Sequence, residues 1–161
     1  MKKIGIVSRM PIFEAPYLDK YFKLIKNFDL IIWERYAGLE EQCENANRIY
    51  AYNEFSGIEW GMPARKKIIG YIAFSRYVKK ILKNNNYDVV IFFDLPIPIL
   101  ISRFLVHEYQ DKYIIDIRDV RNYFTNKLIL KIEKSLANNA LAVVGTSPGH
   151  AIIVENEEKF Y

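Results

Sequence analysis

Asp88-Val89-Val90-Ile91-Phe92-Phe93-Asp94 sets five consecutive apolar residues between two aspartates. No polar residue alternates with them. An extended segment here therefore needs cover on both faces, as a strand inside a parallel sheet does. The chain then passes through Leu95-Pro96-Ile97-Pro98, and proline fits the first turn of a helix, where its missing N–H is no loss. Upstream, Ala64–Asn84 is the longest helical pattern. Tyr71, Phe74, Val78 and Ile81 recur at helical spacing, Ile68, Ile69 and Ile72 widen the apolar face, and Asn84-Asn85-Asn86 is a stop. Downstream, Ile99–Tyr109 reads as a helix and Lys112–Arg118 as a second buried strand.

The same alternation extends to both ends. Strands are expected at Lys3–Ser8, Asp29–Arg35, Arg48–Asn53 and Leu141–Thr146. Helices are expected at Tyr17–Lys26, Leu39–Asn47 and Thr125–Asn139, the last with Leu128, Ile132 and Leu136 on one face. The pattern predicts an α/β fold: a doubly wound, mainly parallel sheet of about six strands with helices on both faces, Rossmann-like in kind. Ligands of such sheets bind at the carboxyl ends of strands. The loops after Ser8, Asp94, Arg118 and Thr146 are thus the places for chemistry.

A length of 161 residues suits a single domain spanning 1–161. The lone Cys43 cannot form an internal disulfide, which fits a reducing compartment. No run approaches the ~20 apolar residues of a membrane span, and the apolar run after Met1-Lys2-Lys3 is too short for a secretory signal. A cytoplasmic location is expected, with peripheral attachment to the inner face of the plasma membrane as an option. The net charge is +4. Residues 65–83 contribute seven cations and no acid, so the rest of the chain is net acidic. Such a local patch, without a recognised motif, argues against nucleic acid. On a helix it suits an anionic membrane surface, with Arg65, Lys66, Lys67, Arg76, Lys79 and Lys80 as the contacts; the same residues also fit the solvated side of a core helix.

Several chemistries are excluded by what is missing. Only Gly5 stands where a dinucleotide fold carries G-x-G-x-x-G, and no phosphate-binding G-x-x-x-x-G-K-[ST] occurs. A receiver-like module needs an acidic pair after the first strand, where this chain has Val7-Ser8-Arg9. His107 and His150 have no metal-ligand spacing with other donors, so neither a metal site nor a cofactor is expected.

Four strand ends remain. Asp116 and Arg118 alternate on one strand and so share a face, with Asp119 entering the loop. An arginine fixed between carboxylates suits reading sugar hydroxyls or positioning a phosphate; from spacing alone a structural ion-pair cluster is the favoured reading. Asp94, beside the stiff Pro96–Pro98 turn, is a candidate base or hydroxyl ligand, or else a helix cap. Ser8 and Arg9 lie on the first loop. Thr146 and Ser147 open a helix whose amides suit an anion, although Ser147 also serves as an ordinary cap.

Three of these segments carry a resemblance. Asp88-Val89-Val90-Ile91 followed by Pro96-Ile97-Pro98, Asp116-Ile117-Arg118-Asp119, and Lys131-Ile132-Glu133 followed by Ala140–Ser147 resemble, in that order, the N-terminal domain of bacterial family 4 glycosyltransferases. The stretch Tyr87–Ser147 carries the match, and the order of elements agrees over nearly the whole chain. Two features depart from the pattern. Ser8–Pro16 lacks the Gly-Gly pair of many relatives, and Val120-Arg121-Asn122 stands where Trp-Pro often follows.

The resemblance implies a GT-B enzyme of two Rossmann-like halves. This chain would be the acceptor-side half, and a nucleotide sugar would be bound mainly by a C-terminal half carrying E-x7-E, which the sequence does not contain. It further implies that the fragment alone lacks transferase activity. The partners would be a saccharide acceptor, lipid-linked, and the nucleotide sugar, in cell-surface polysaccharide assembly. Asp116, Arg118 and Asp119 would carry the chemistry, and Ser8, Arg9, Asp94, Pro96, Thr146 and Ser147 would hold the acceptor. A flavodoxin-like binding module at a membrane or protein partner is the alternative.

Overall fold

A computed structural model of the protein describes residues 2–14, 16, 18–34, 43–54, 63–118, 126–145, 159 and 161. Six strands form a parallel sheet in the order β3-β2-β1-β4-β5-β6. They are β1 (Ile4–Ser8), β2 (Phe28–Trp33), β3 (Ala46–Tyr52), β4 (Val89–Phe93), β5 (Tyr113–Ile117) and β6 (Ala142–Gly145). Five α-helices accompany them: α1 (Leu18–Leu24), α2 (Ala64–Asn85), α3 (Pro96–Leu100), α4 (Ser102–Glu108) and α5 (Lys127–Asn139). The chain divides into two compact units, Met1–Asp88 and Val89–Tyr161.

In the first unit all six residues of β2 are buried, as expected for a central parallel strand flanked on both sides. β1 pairs with it from Ile4↔Phe28 to Ser8↔Ile32, and β3 lies on its other edge. Phe28 and Trp33 are five residues apart in one strand and so point to opposite faces. Phe22 of α1 stacks on Phe28 at 5.2 Å between ring centroids, and Phe74 of α2 stacks on Trp33 at 5.4 Å. The two helices therefore cover opposite faces of this half-sheet. A Cβ at Gly5 would stand 3.3 Å from the Tyr87 ring. Glycine lets that ring lie against β1, and the Tyr87 hydroxyl then donates to Asp29 Oδ2 at 2.8 Å in the interior.

Helix α2 ends where the asparagine run predicts, with Asn86 in the left-handed region at φ 47° and its N–H bonded to the Leu82 carbonyl. Its buried face contains Phe74, Val78, Ile81 and Leu82. The expected apolar face does not extend to the helix start, because Ile68 and Ile69 are exposed there. Of the helix expected over Leu39–Asn47, residues 39–42 lie outside the described residues, and Glu44 and Asn45 form a turn. Its last two residues, Ala46 and Asn47, instead open β3.

In the second unit β5 pairs with β4 from Val90↔Tyr113 to Phe93↔Asp116, and β6 follows on its other edge. The helix expected over Ile99–Tyr109 is two helices, broken at Ile101 (φ −113°, ψ 19°). Asn126 caps α5, its Oδ1 accepting from the amides of Leu128 and Ile129 at 3.0 and 3.3 Å. The buried face of α5 is not the predicted Leu128–Ile132–Leu136 stripe. Glu133, Leu136 and Ala137 are buried, whereas Leu128 is 67% exposed. The Tyr113 hydroxyl donates to the Leu136 carbonyl at 2.6 Å, which seats that turn on β5 and carries Glu133 inward with it.

Candidate functional site

The described candidates Ser8, Arg9, Asp94, Asp116 and Arg118 sit at or just past the carboxyl ends of their strands. At the end of β5, Asp116 is fully buried and forms an ion pair with Arg118, whose side chain is 26% exposed. Alternation along an extended strand places both side chains on one face, and a charge-assisted bond then fixes the guanidinium. Asp94, at the end of β4, donates its backbone N–H to the Asp116 carbonyl at 2.8 Å. Its φ of 79° is a conformation that a residue with a β-carbon adopts at a cost of order 1–2 kcal/mol. Asp94 Oδ1 accepts the Leu95 amide at 2.9 Å. Leu95, not Asp94, holds the cap position of α3, and Pro96 begins the helix behind it. The second unit thus gathers Asp94, Pro96, Asp116 and Arg118. Asp119, Thr146 and Ser147 lie outside the described residues.

In the first unit the Ser8 hydroxyl turns back on its own loop. It donates to the Met10 carbonyl at 2.7 Å and accepts the Met10 amide at 3.1 Å. Arg9 is 92% buried, and its Nη1 donates to the Tyr71 hydroxyl at 3.1 Å. The Tyr71 ring meets Trp33 edge-on at 5.4 Å. At the end of β3, the Tyr52 hydroxyl donates to Glu54 Oε2 at 3.1 Å. Burial, and secondarily the Glu54 carboxylate, push the Tyr52 phenol up to about 12.

Among the described residues, three buried carboxylates were not candidate site residues: Asp29, which accepts from the Tyr87 hydroxyl, Glu34 and Glu133. Glu34 directly follows β2, is 9% exposed, and is held by its own N–H to the Tyr52 carbonyl at 3.1 Å. It was within reach of the rule that strand ends carry ligand groups, as the first charge after the buried Leu30–Trp33. Glu133 gave no such signal, because a glutamate inside an amphipathic helix reads as exposed. Its Oε1 meets no hydrogen-bond partner among the described residues, and burial pushes its carboxyl above the usual range.

The cations of α2 divide by exposure. Arg65, Lys66, Arg76 and Lys80 are exposed, and Lys67 and Lys79 are half-buried. At the helical repeat, Arg65, Arg76, Lys79 and Lys80 fall within an arc of about 100°, roughly opposite the buried face. The exposed Ile69 lies inside that arc. Separately, a cleft of about 370 Å³ between α4 and α5 is walled by Arg103, His107, Leu128 and Lys131, and contains none of the candidate strand-end residues. Among the described residues, no helix is long and apolar enough to cross a membrane. Among the same residues, no group of three His, Cys, Asp or Glu is placed to hold a metal.

No protein-family model matches the sequence, and no curated protein matches it. Solved structures do match. A sucrose-phosphate synthase from Thermosynechococcus elongatus is similar at a TM-score of 0.61 and 14% identity, over 96% of this chain and 82% of that one. A UDP-N-acetylglucosamine 2-epimerase from Rickettsia bellii is similar at a TM-score of 0.57 and 10% identity, over 99% of this chain and 44% of that one. At such identities the shared property is the fold: an all-parallel, Rossmann-like α/β sheet of the kind found in GT-B proteins.

Proposed function

We propose that this chain is the acceptor-binding half of a GT-B glycosyltransferase of the family 4 type, one that transfers a sugar from a nucleotide sugar to a lipid-linked saccharide in cell-surface polysaccharide assembly. The observation carrying the reading is the Asp116–Arg118 pair at the carboxyl end of β5, a fully buried carboxylate fixing a partly exposed guanidinium. It stands within the segment order that resembles the family. Glycosyl transfer develops positive charge at the sugar carbon and negative charge on the departing diphosphate. A cation held in advance by Asp116 stabilises the second of these without reorganising. In this reading Asp119 acts with the pair, and Ser8, Arg9, Asp94, Pro96, Thr146 and Ser147 are assigned to the acceptor. The fold of the two solved neighbours supports the choice, since both are GT-B-like.

The reading also includes an anionic membrane surface as a partner. The α2 arc of Arg65, Arg76, Lys79 and Lys80, with Ile69 exposed among them, supports it: cations meet headgroups while an aliphatic side chain enters the interface.

The test is transfer by a protein carrying both halves, assayed with a panel of nucleotide sugars and a lipid-linked acceptor extract. Arg118→Ala is expected to lower transfer by roughly 10²–10³-fold, the usual effect of removing one preorganised charge-stabilising group. Undiminished transfer in the variant reduces Asp116–Arg118 to scaffold. No transfer with any donor favours the membrane-bound module instead.

A further inference from the structure

We propose that the cleft between α4 and α5 is a binding site for a phosphate monoester that carries a short apolar body. The proposal does not rest on the transferase reading, because none of the residues assigned there to the acceptor or the chemistry lines the cleft. At about 370 Å³ the cleft falls within the roughly 300–1,000 Å³ of small-molecule sites.

Helical spacing builds its two walls. Arg103 and His107 stand four residues apart on α4 and so rise from one face, with Val106 beside them. Leu128, Lys131 and Ile132 recur at spacings of three and four on α5. Both faces turn into the cleft. The apolar stripe expected of α5 is thus divided: Leu136 enters the core, while Leu128 and Ile132 line the cleft. Leu128 is left 67% exposed. An apolar body laid along Leu128 and Ile132 takes that surface out of water.

The charges set the other end of the ligand. Arg103 and Lys131 face the cleft from opposite helices, and His107 adds a ring N–H donor. No Asp or Glu lines the cleft. None of the three is in an ion pair among the described residues. Glu133, the acid of α5, is turned to the interior instead. A carboxylate ligand would bring two oxygens and one charge. A phosphate monoester brings three acceptor oxygens and about two charges, which matches three donor side chains. The guanidinium can take two of those oxygens at once. The monoester has two possible sources, a soluble organic phosphate or the headgroup of a lipid phosphate.

The test is an NMR titration of the 161-residue chain with hexyl phosphate, inorganic phosphate, hexanoate and hexanol. Hexyl phosphate is expected to shift the amides of α4 and α5 saturably and to bind more tightly than the other three. Arg103→Ala and Lys131→Ala should each weaken it by roughly two- to fivefold, the scale of an exposed ion pair, and the double variant should weaken it further. Leu128→Ser should weaken hexyl phosphate but not inorganic phosphate. Lys20→Ala, which removes an exposed cation of α1, should change neither. Melting temperatures check that each variant keeps the fold.

Vesicles of phosphatidylcholine, with and without phosphatidic acid, distinguish the sources. Sedimentation that requires phosphatidic acid and weakens in the double variant supports the site and identifies a lipid phosphate. Sedimentation indifferent to the double variant, with hexyl phosphate binding that is sensitive to it, supports the site and identifies a soluble phosphate. The proposal is overturned if the wild type shows no saturable binding of hexyl phosphate, if the double variant binds it equally well, or if hexanoate binds as tightly.

Discussion

Replacing Glu133 with methionine should make this protein more stable. Glu133 is 2% exposed, its Oε1 meets no donor among the described residues, and its neighbours on the buried face of α5 are Leu136 and Ala137. A buried polar atom left unmatched costs roughly 1–3 kcal/mol. Methionine keeps the length of the side chain, adapts to an irregular apolar site and is a good helix former. The expected gain at pH 7 is therefore roughly 1–3 kcal/mol. For a domain of this size that is a rise in melting temperature of roughly 2–12 °C.

The sign of the pH dependence follows from linkage. Burial raises the carboxyl in the folded state above its ordinary value of 4.5. The folded chain thus keeps a proton that the unfolded chain has released. Stability falls as pH rises from about that ordinary value up to the folded-state value, and is level above it. The advantage of Glu133→Met should accordingly be smaller at pH 4 than at pH 7. Glu133→Gln should remove the pH dependence while leaving most of the unmatched polarity. Thermal and urea melts of the three proteins at both pH values decide the matter. A methionine variant less stable than wild type at both pH values would refute the reasoning, and so would a pH-independent difference.

Two further outcomes concern the scaffold. Tyr87→Phe removes the donor to buried Asp29 and should destabilise the chain by roughly 1.5–3 kcal/mol in urea melts; Asp29→Asn in the same background should then cost much less than it does alone. Asn126→Ala removes the side-chain cap of α5 and should cost roughly 0.5–2 kcal/mol in the same assay, with Asn126→Ser recovering most of it.

The sequence by itself determined the strand order along the chain and the parallel character of the sheet. Runs such as Asp88–Asp94 and Asp29–Arg35 have no polar alternation, and only burial on both faces tolerates that. Alternation alone put Asp116 and Arg118 on one face, and the structure pairs them there. The asparagines after α2 marked its end because a left-handed residue closes a helix cheaply there.

Tertiary structure decided what periodicity cannot. It turned α5 so that Glu133 is buried and Leu128 exposed, because the Tyr113 hydroxyl seats the Leu136 turn on β5. It broke one expected helix at Ile101. It buried Arg9 against Tyr71, which lies 62 residues away in sequence. It anchored the buried Glu34 through its amide to the Tyr52 carbonyl, a partner brought from another strand that no local pattern encodes.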